Sequence, residues 1–117
     1  MSGSVSYHAG LTAEHGVARD YLSRGFRLRA ERYRGSGGEI DLIVHDGAQV
    51  VFVEVKKSKS HSAAAARLSQ RQINRIFRSA SEFLAGEPNG QDTDTRFDVA
   101  LVDDAGQIEI LENALSA

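Results

Sequence analysis

The stretch Val50-Val51-Phe52-Val53-Glu54-Val55-Lys56 limits most strongly what this chain can become. Successive side chains on a strand point to opposite faces, and here both faces are apolar as far as Glu54. A strand buried on both sides needs cover on both sides of its sheet. The flanking segments supply it. Glu39 to Val44 reads as a preceding strand, and Asp46-Gly47 between the two runs is a tight-turn signal, so they form a hairpin. Phe26 to Tyr33 alternates as Phe26, Leu28 and Ala30 among arginines and reads as an earlier strand, joined on by a flexible turn, Arg34-Gly35-Ser36-Gly37-Gly38. Thr12 to Arg24 carries Ala13, Val17, Ala18, Tyr21 and Leu22 at helical spacing, with Thr12 as cap and Gly25 as stop. Ser69 and Gln72 have capping-box spacing and open a second helix, with Ile73, Ile76, Phe77, Ala80, Phe83 and Leu84 on one face and Gly86 at its end. Phe97 to Val102 is a fourth strand, and Gln107 to Leu111 a fifth, at an edge. A strand that follows a helix can pair in parallel. The expected fold is α/β, a single domain over residues 1–117 with a mixed β-sheet flanked by helices in αβββαβ order.

The chemistry sits in the two central strands. Strict alternation puts Ile40, Leu42 and Val44 on one face of the second strand and Glu39, Asp41 and Ile43 on the other. In the third strand Glu54 and Lys56 project together from the end of an otherwise apolar run, and the hairpin brings Asp41 near them. Buried charges must be paired or bind metal. Two carboxylates with open positions suit a hard cation such as Mg²⁺, which retains waters. Such an ion can polarise a phosphoryl oxygen and acidify water, and the lysine can orient that water or stabilise developing charge. On its own, a pattern such as Glu54-Val55-Lys56 at a strand end is usually a surface ion pair. The buried strand and Asp41 upstream favour the hydrolytic reading.

Composition narrows the classes. There is no cysteine, which excludes disulfides, thiolate metal sites and cysteine nucleophiles and makes a reducing cytoplasm the expected compartment. No apolar run reaches the roughly 18 residues of a membrane span. Met1 to Gly10 lacks the basic-then-apolar order of a secretory signal. Charge is segregated: residues 1–80 hold 13 Lys and Arg against 7 Asp and Glu, whereas residues 81–117 hold 1 against 9. Eleven of the 14 basic residues are arginine, suited to bidentate phosphate contact. Arg67, Arg71, Arg75 and Arg78 form a stripe on the second helix, either a solvated face or a phosphate-positioning surface. His8, His15, His45 and His61 show no metal-ligand spacing and are expected at the surface.

Gly38-Glu39-Ile40-Asp41-Leu42-Ile43, a short hairpin, and Val51-Phe52-Val53-Glu54-Val55-Lys56 together resemble the signature of the YraN family of bacterial endonuclease-like proteins. Gly10, Ala13, Glu14, Ala18, Tyr21, Leu22 and Gly25 fall at that family's spacing, as does Arg96-Phe97-Asp98-Val99, and Glu112-Asn113-Ala114 is similar to its tail. The family is placed in the PD-(D/E)XK superfamily, with a restriction-endonuclease-like fold, and is similar to archaeal Holliday junction resolvases. The resemblance implies that Asp41 and Glu54 bind Mg²⁺ or Mn²⁺, with the Val55 carbonyl as a further ligand. It also implies that Lys56 is the catalytic lysine and that Glu14 joins the site. The chain departs from the common pattern at Lys57-Ser58, where many relatives have threonine and arginine, and at Gln72, where many have lysine. Some PD-(D/E)XK nucleases use a glutamine from that helix near the metal. The implied activity is endonucleolytic cleavage of DNA, branched or damaged DNA included, with Arg71, Gln72 and Arg75 contacting nucleic acid. Alternative readings are a non-catalytic nucleic-acid-binding protein that keeps the fold, and an adaptor docking a protein through the acidic C-terminal third. Junction cleavage wants two sites, which a homodimer would supply.

Overall fold

A computed structural model describes residues 2–62 and 68–115, with side chains from Thr12 onward. Five strands form one mixed sheet in the order β1 (Arg27–Gly35), β2 (Gly38–His45), β3 (Val50–Lys57), β4 (Thr95–Val102) and β5 (Ile108–Leu111). Two long helices flank it, α1 (Ser2–Ser23) and α2 (Gln70–Leu84). β3 is central, antiparallel to β2 and parallel to β4, which the chain reaches after α2. The α/β class and the αβββαβ order are as the sequence predicts, with β5 closing the far edge beside β4. No helix among the described residues is long and apolar enough to cross a membrane.

β3 divides the core in two. Val51 and Val53, with Leu42, Val44, Ala100 and Val102, pack under Ala13, Val17, Ala18 and Tyr21 of α1. Val50 and Phe52, with Ile40, Ile43, Val99 and Leu101, pack under Ile76, Ala80 and Leu84 of α2. Burying each such aliphatic side chain stabilises the fold by about 1.5–3 kcal/mol relative to exposure, which is why this strand holds the centre.

The helix boundaries show what periodicity records. α1 begins at Ser2, not Thr12, and Thr12 lies inside it and does not cap. The apolar spacing begins only at Ala13, so it cannot show where the helix starts. Leu22, expected on the packed face, is 47% exposed. At α2 the local signals hold: the Ser69 Oγ accepts the Gln72 N–H at 3.2 Å, and Gly86 follows the last turn.

The strand alternation breaks twice. β1 carries a bulge between Leu28 and Ala30, so Phe26 packs in the α1 layer and Ala30 in the α2 layer, leaving Leu28 exposed. A second break lies where Arg32 adopts a positive φ of 53°, rare for a side chain with a Cβ. Its flanking pairs are Glu31–Leu42 and Tyr33–Ile40, so Arg32 stands across from Asp41. On both strands the faces then slip by one: Ala30 and Tyr33 share a layer, as do Ile43 and Ile40. Ile40 therefore does not share a face with Leu42 and Val44, as strict alternation expects. The cause is the kink at Arg32 and Asp41, where β2 begins to part from β3.

The Arg34–Gly38 turn, expected to be flexible, is pinned to α2. Ser36 N–H donates to Glu82 Oε2 at 2.7 Å and Ser79 Oγ donates to the Gly38 carbonyl at 2.7 Å. On the other layer, fully buried Asp98 ties three elements. It accepts from the Tyr21 hydroxyl at 2.6 Å, from Arg96 Nε at 3.0 Å and from Asn113 N–H at 2.9 Å. Tyr21, expected as plain core, is thus also a hydrogen-bond donor.

Candidate active site

Paired residues of β2 and β3 end at Leu42 and Val53. One residue further the strands diverge, and Asp41 Oδ2 accepts the Val55 N–H at 2.8 Å. A carboxylate thereby takes the place of a ladder acceptor, which fixes its position at the mouth of the cleft. Glu54, 6% exposed, stands beside it, and Lys56 follows at the strand end. Across the cleft α2 contributes Gln72, Arg75 and Ile76, and these residues with Gly38, Glu39, Asp41, Glu54, Val55 and Lys56 line a pocket of about 330 Å³.

The electrostatics show crowding. Burial, then the hydrogen bond and charge of Asp41, push the Glu54 carboxyl up to about 9, while Lys56 pulls it back. Burial, then the charge of Asp41, raise the Glu14 carboxyl to about 7, against the pull of Arg32. Arg32 Nη1 lies 4.0 Å from Glu14 and its Nε 3.3 Å from Glu39, so one guanidinium serves two acids on the rim.

This donor set fits a hard cation. Two neighbouring carboxylates, one of them raised well above its ordinary value by burial and by the other, present oxygen ligands on an open pocket. Mg²⁺ is commonly bound this way, by one or two carboxylates with several waters retained. Among the described residues no group of three or more His, Cys, Asp or Glu side chains is placed to hold a metal ion by itself, so waters would complete the shell of any bound cation.

Of the residues singled out from sequence, Asp41, Glu54, Val55, Lys56, Gln72 and Arg75 meet in one pocket. Glu14 lies beside it, near enough for Asp41 to shift its titration, but does not line it. Arg71 is exposed one helical turn from Arg75 and is not part of the pocket wall; Arg67 lies outside the described residues. Glu39, on the Asp41 face by strict alternation, is half-buried, lines the pocket and is held by Arg32 and Arg34. His15, His45 and His61 take no part in the pocket; His61 instead meets Glu109 at 3.1 Å. Sequence reasoning missed Arg32, because a positive φ on a strand has no residue-type signature outside glycine, asparagine and aspartate.

Residues 13–102 match the sequence profile described as "Uncharacterised protein family UPF0102". The chain is 65% identical to a UPF0102 protein of Cereibacter sphaeroides (strain ATCC 17029) over 117 residues, covering 100% of each. It is 57% identical to a UPF0102 protein of Roseobacter denitrificans, over 98% of this chain and 89% of that one. A UPF0102 protein of Dinoroseobacter shibae is 44% identical over 95% of this chain and 83% of its own length.

Proposed function

Taking as premise that the chain belongs to the UPF0102 family, we propose that it is a metal-dependent nuclease that hydrolyses phosphodiester bonds in DNA. The observation that carries this reading is the meeting of Asp41, Glu54 and Lys56 where β2 and β3 part, in a pocket that α2 flanks with Gln72 and Arg75. The resemblance to YraN proteins and the PD-(D/E)XK nucleases supports the same assignment. Asp41 and Glu54 would hold Mg²⁺ or Mn²⁺, with the Val55 carbonyl available as a further oxygen. A bound divalent ion supplies charge neutralisation at the phosphoryl oxygens and a more acidic water. Lys56, in the same pocket, stabilises charge developing on the phosphate and orients the attacking water. Glu14 balances Arg32 at the rim, and Gln72 and Arg75 hold the backbone. The lack of cysteine fits work in a reducing cytoplasm.

The test is cleavage of labelled single strands, duplexes, flaps and four-way junctions with Mg²⁺ or Mn²⁺. Asp41→Asn should abolish cleavage and weaken Mn²⁺ binding in calorimetry, yet keep the fold, because an amide oxygen can still accept from Val55 N–H. Lys56→Ala should keep metal and DNA affinity and lose the chemical step, since the lysine acts in the transition state. Wild-type Mn²⁺ affinity in Asp41→Asn would sink the assignment. Tight DNA binding with no cleavage by wild type would instead point to a non-catalytic binding protein on the same fold.

A further inference from the structure

We infer that the groove between the β1–β2 turn and α2 is a second phosphate-binding subsite, which takes the backbone phosphate next to the scissile one through Arg75 and Arg78, with Arg34 at its rim. The identity of the ligand rests on the nuclease reading; the groove itself does not.

The groove exists because the turn lies unusually close to the helix. β1 ends at Gly35 and β2 begins at Gly38, leaving Ser36 and Gly37 at the tip. A Cβ on Gly37 would sit 2.8 Å from the Arg75 carbonyl oxygen and 2.9 Å from the Arg78 Cβ. One on Gly35 would sit 2.7 Å from the Ser79 hydroxyl. Only glycine permits that approach, and the bonds from Ser36 to Glu82 and from Ser79 to Gly38 then hold the turn there. The result is a rigid groove of about 520 Å³, walled by the turn on one side and by Arg75 and Arg78 on the other.

Its charge is available. Arg75 and Arg78, one helical turn apart, share a surface. Among the described residues neither has a carboxylate within ion-pair distance. Glu39, the acid in the groove, is taken up by Arg32 at 3.3 Å and Arg34 at 3.5 Å. Glu82 is engaged by the turn and does not line the groove. Two guanidiniums beside a fixed backbone turn are a forked donor set matched to phosphate oxygens. Gly38, Glu39 and Arg75 line both this groove and the carboxylate pocket, so the two are continuous, with Arg75 at the junction. A strand whose scissile phosphate lies at Asp41 and Glu54 would therefore pass its neighbouring phosphate to Arg75 and Arg78.

The experiment is NMR of ¹⁵N-labelled Asp41→Asn protein, titrated first with inorganic pyrophosphate and then with a short DNA duplex. Pyrophosphate should shift the Ser36 and Gly37 amides and the Arg75 and Arg78 Nε–H signals, and Arg78→Ala should abolish those shifts. Arg78 is exposed and has no ion-pair partner among the described residues, so this variant should melt like its parent. The duplex should move the same signals, and Arg78→Ala should weaken duplex affinity about tenfold, the fold-change of one charge-assisted contact. If the duplex shifts residues around Lys56 but leaves the turn and Arg78 unmoved, the subsite is wrong and the nuclease reading survives. If pyrophosphate shifts the turn but no DNA binds, the anion subsite stands and the nuclease reading falls. If neither ligand moves these signals, the subsite is overturned.

Discussion

A carboxyl whose titration is raised on folding binds its proton more tightly in the folded chain than in the unfolded one. Glu54 and Glu14 are both of this kind, raised to about 9 and about 7 from 4.5. Their contribution is fully present below the ordinary glutamate value and is lost as pH rises through that window. The metal-free protein should accordingly melt at falling temperature from pH 4.5 toward 9, and Glu54→Gln should flatten that decline. Scanning calorimetry in chelator reads it; equal pH slopes in the two proteins would refute the placement of Glu54. Mg²⁺ or Mn²⁺ should raise the melting temperature at neutral pH, since a ligand that binds only the folded state stabilises it. The same ions should release protons, seen as a binding heat that changes with the buffer's ionisation enthalpy. At this scale Asp41, Glu54 and Lys56 were legible in the sequence, because strand periodicity alone sets two of them on one face and a turn signal brings the third. Arg32 was not legible: its backbone conformation is imposed by the parting of two strands, which no local pattern announces.

Elements meet in this fold through side chains as much as through ladders. Asp98 joins α1, β4 and the segment after β5 by way of Tyr21, Arg96 and Asn113. Tyr21→Phe should destabilise the protein by about 1.5–3 kcal/mol, the loss of one hydrogen bond to a charged partner, with Arg96 still satisfying the carboxylate. Asp98→Ala should be worse, about 3 kcal/mol or more, because it leaves the Tyr21 hydroxyl and the Asn113 N–H without their acceptor and Arg96 with only Gln49 and Glu112. Urea denaturation of the two variants and the double mutant measures the coupling; additive losses would show that the groups do not act together. The order of elements was readable from apolar spacing and turn residues. What escaped was the start of α1, since the apolar spacing that marks the helix begins only at Ala13, and the two breaks of step in β1 and β2. A bulge adds one residue without changing composition, so alternation carried across it misassigns every face beyond.

Over the whole molecule, segregation of charge along the sequence does not become a clean separation in space. Asp103 and Asp104, from the acidic C-terminal third, line a cavity with Arg19 and Lys57, close in sequence to Lys56. Among the described residues Arg71, Arg75 and Arg78, on the α2 side of the pocket, have no carboxylate within ion-pair distance. Binding of a DNA duplex to Asp41→Asn protein should weaken with salt by about 0.9 log unit per log unit for each phosphate neutralised. Arg71→Ala with Arg75→Ala should flatten that slope by about one to two units if both touch phosphate; fluorescence anisotropy over a salt series measures it, and an unchanged slope would return the stripe to the status of a solvated face. The sheet's borders have a separate bearing on how copies of the chain behave at high concentration. β1 is interrupted by its bulge and studded with Arg27, Arg29, Arg32 and Arg34, and β5 is only four residues long. Neither offers the long, flat, uncharged rim on which a foreign strand could template itself. Cross-β aggregation is therefore disfavoured at both ends of the sheet.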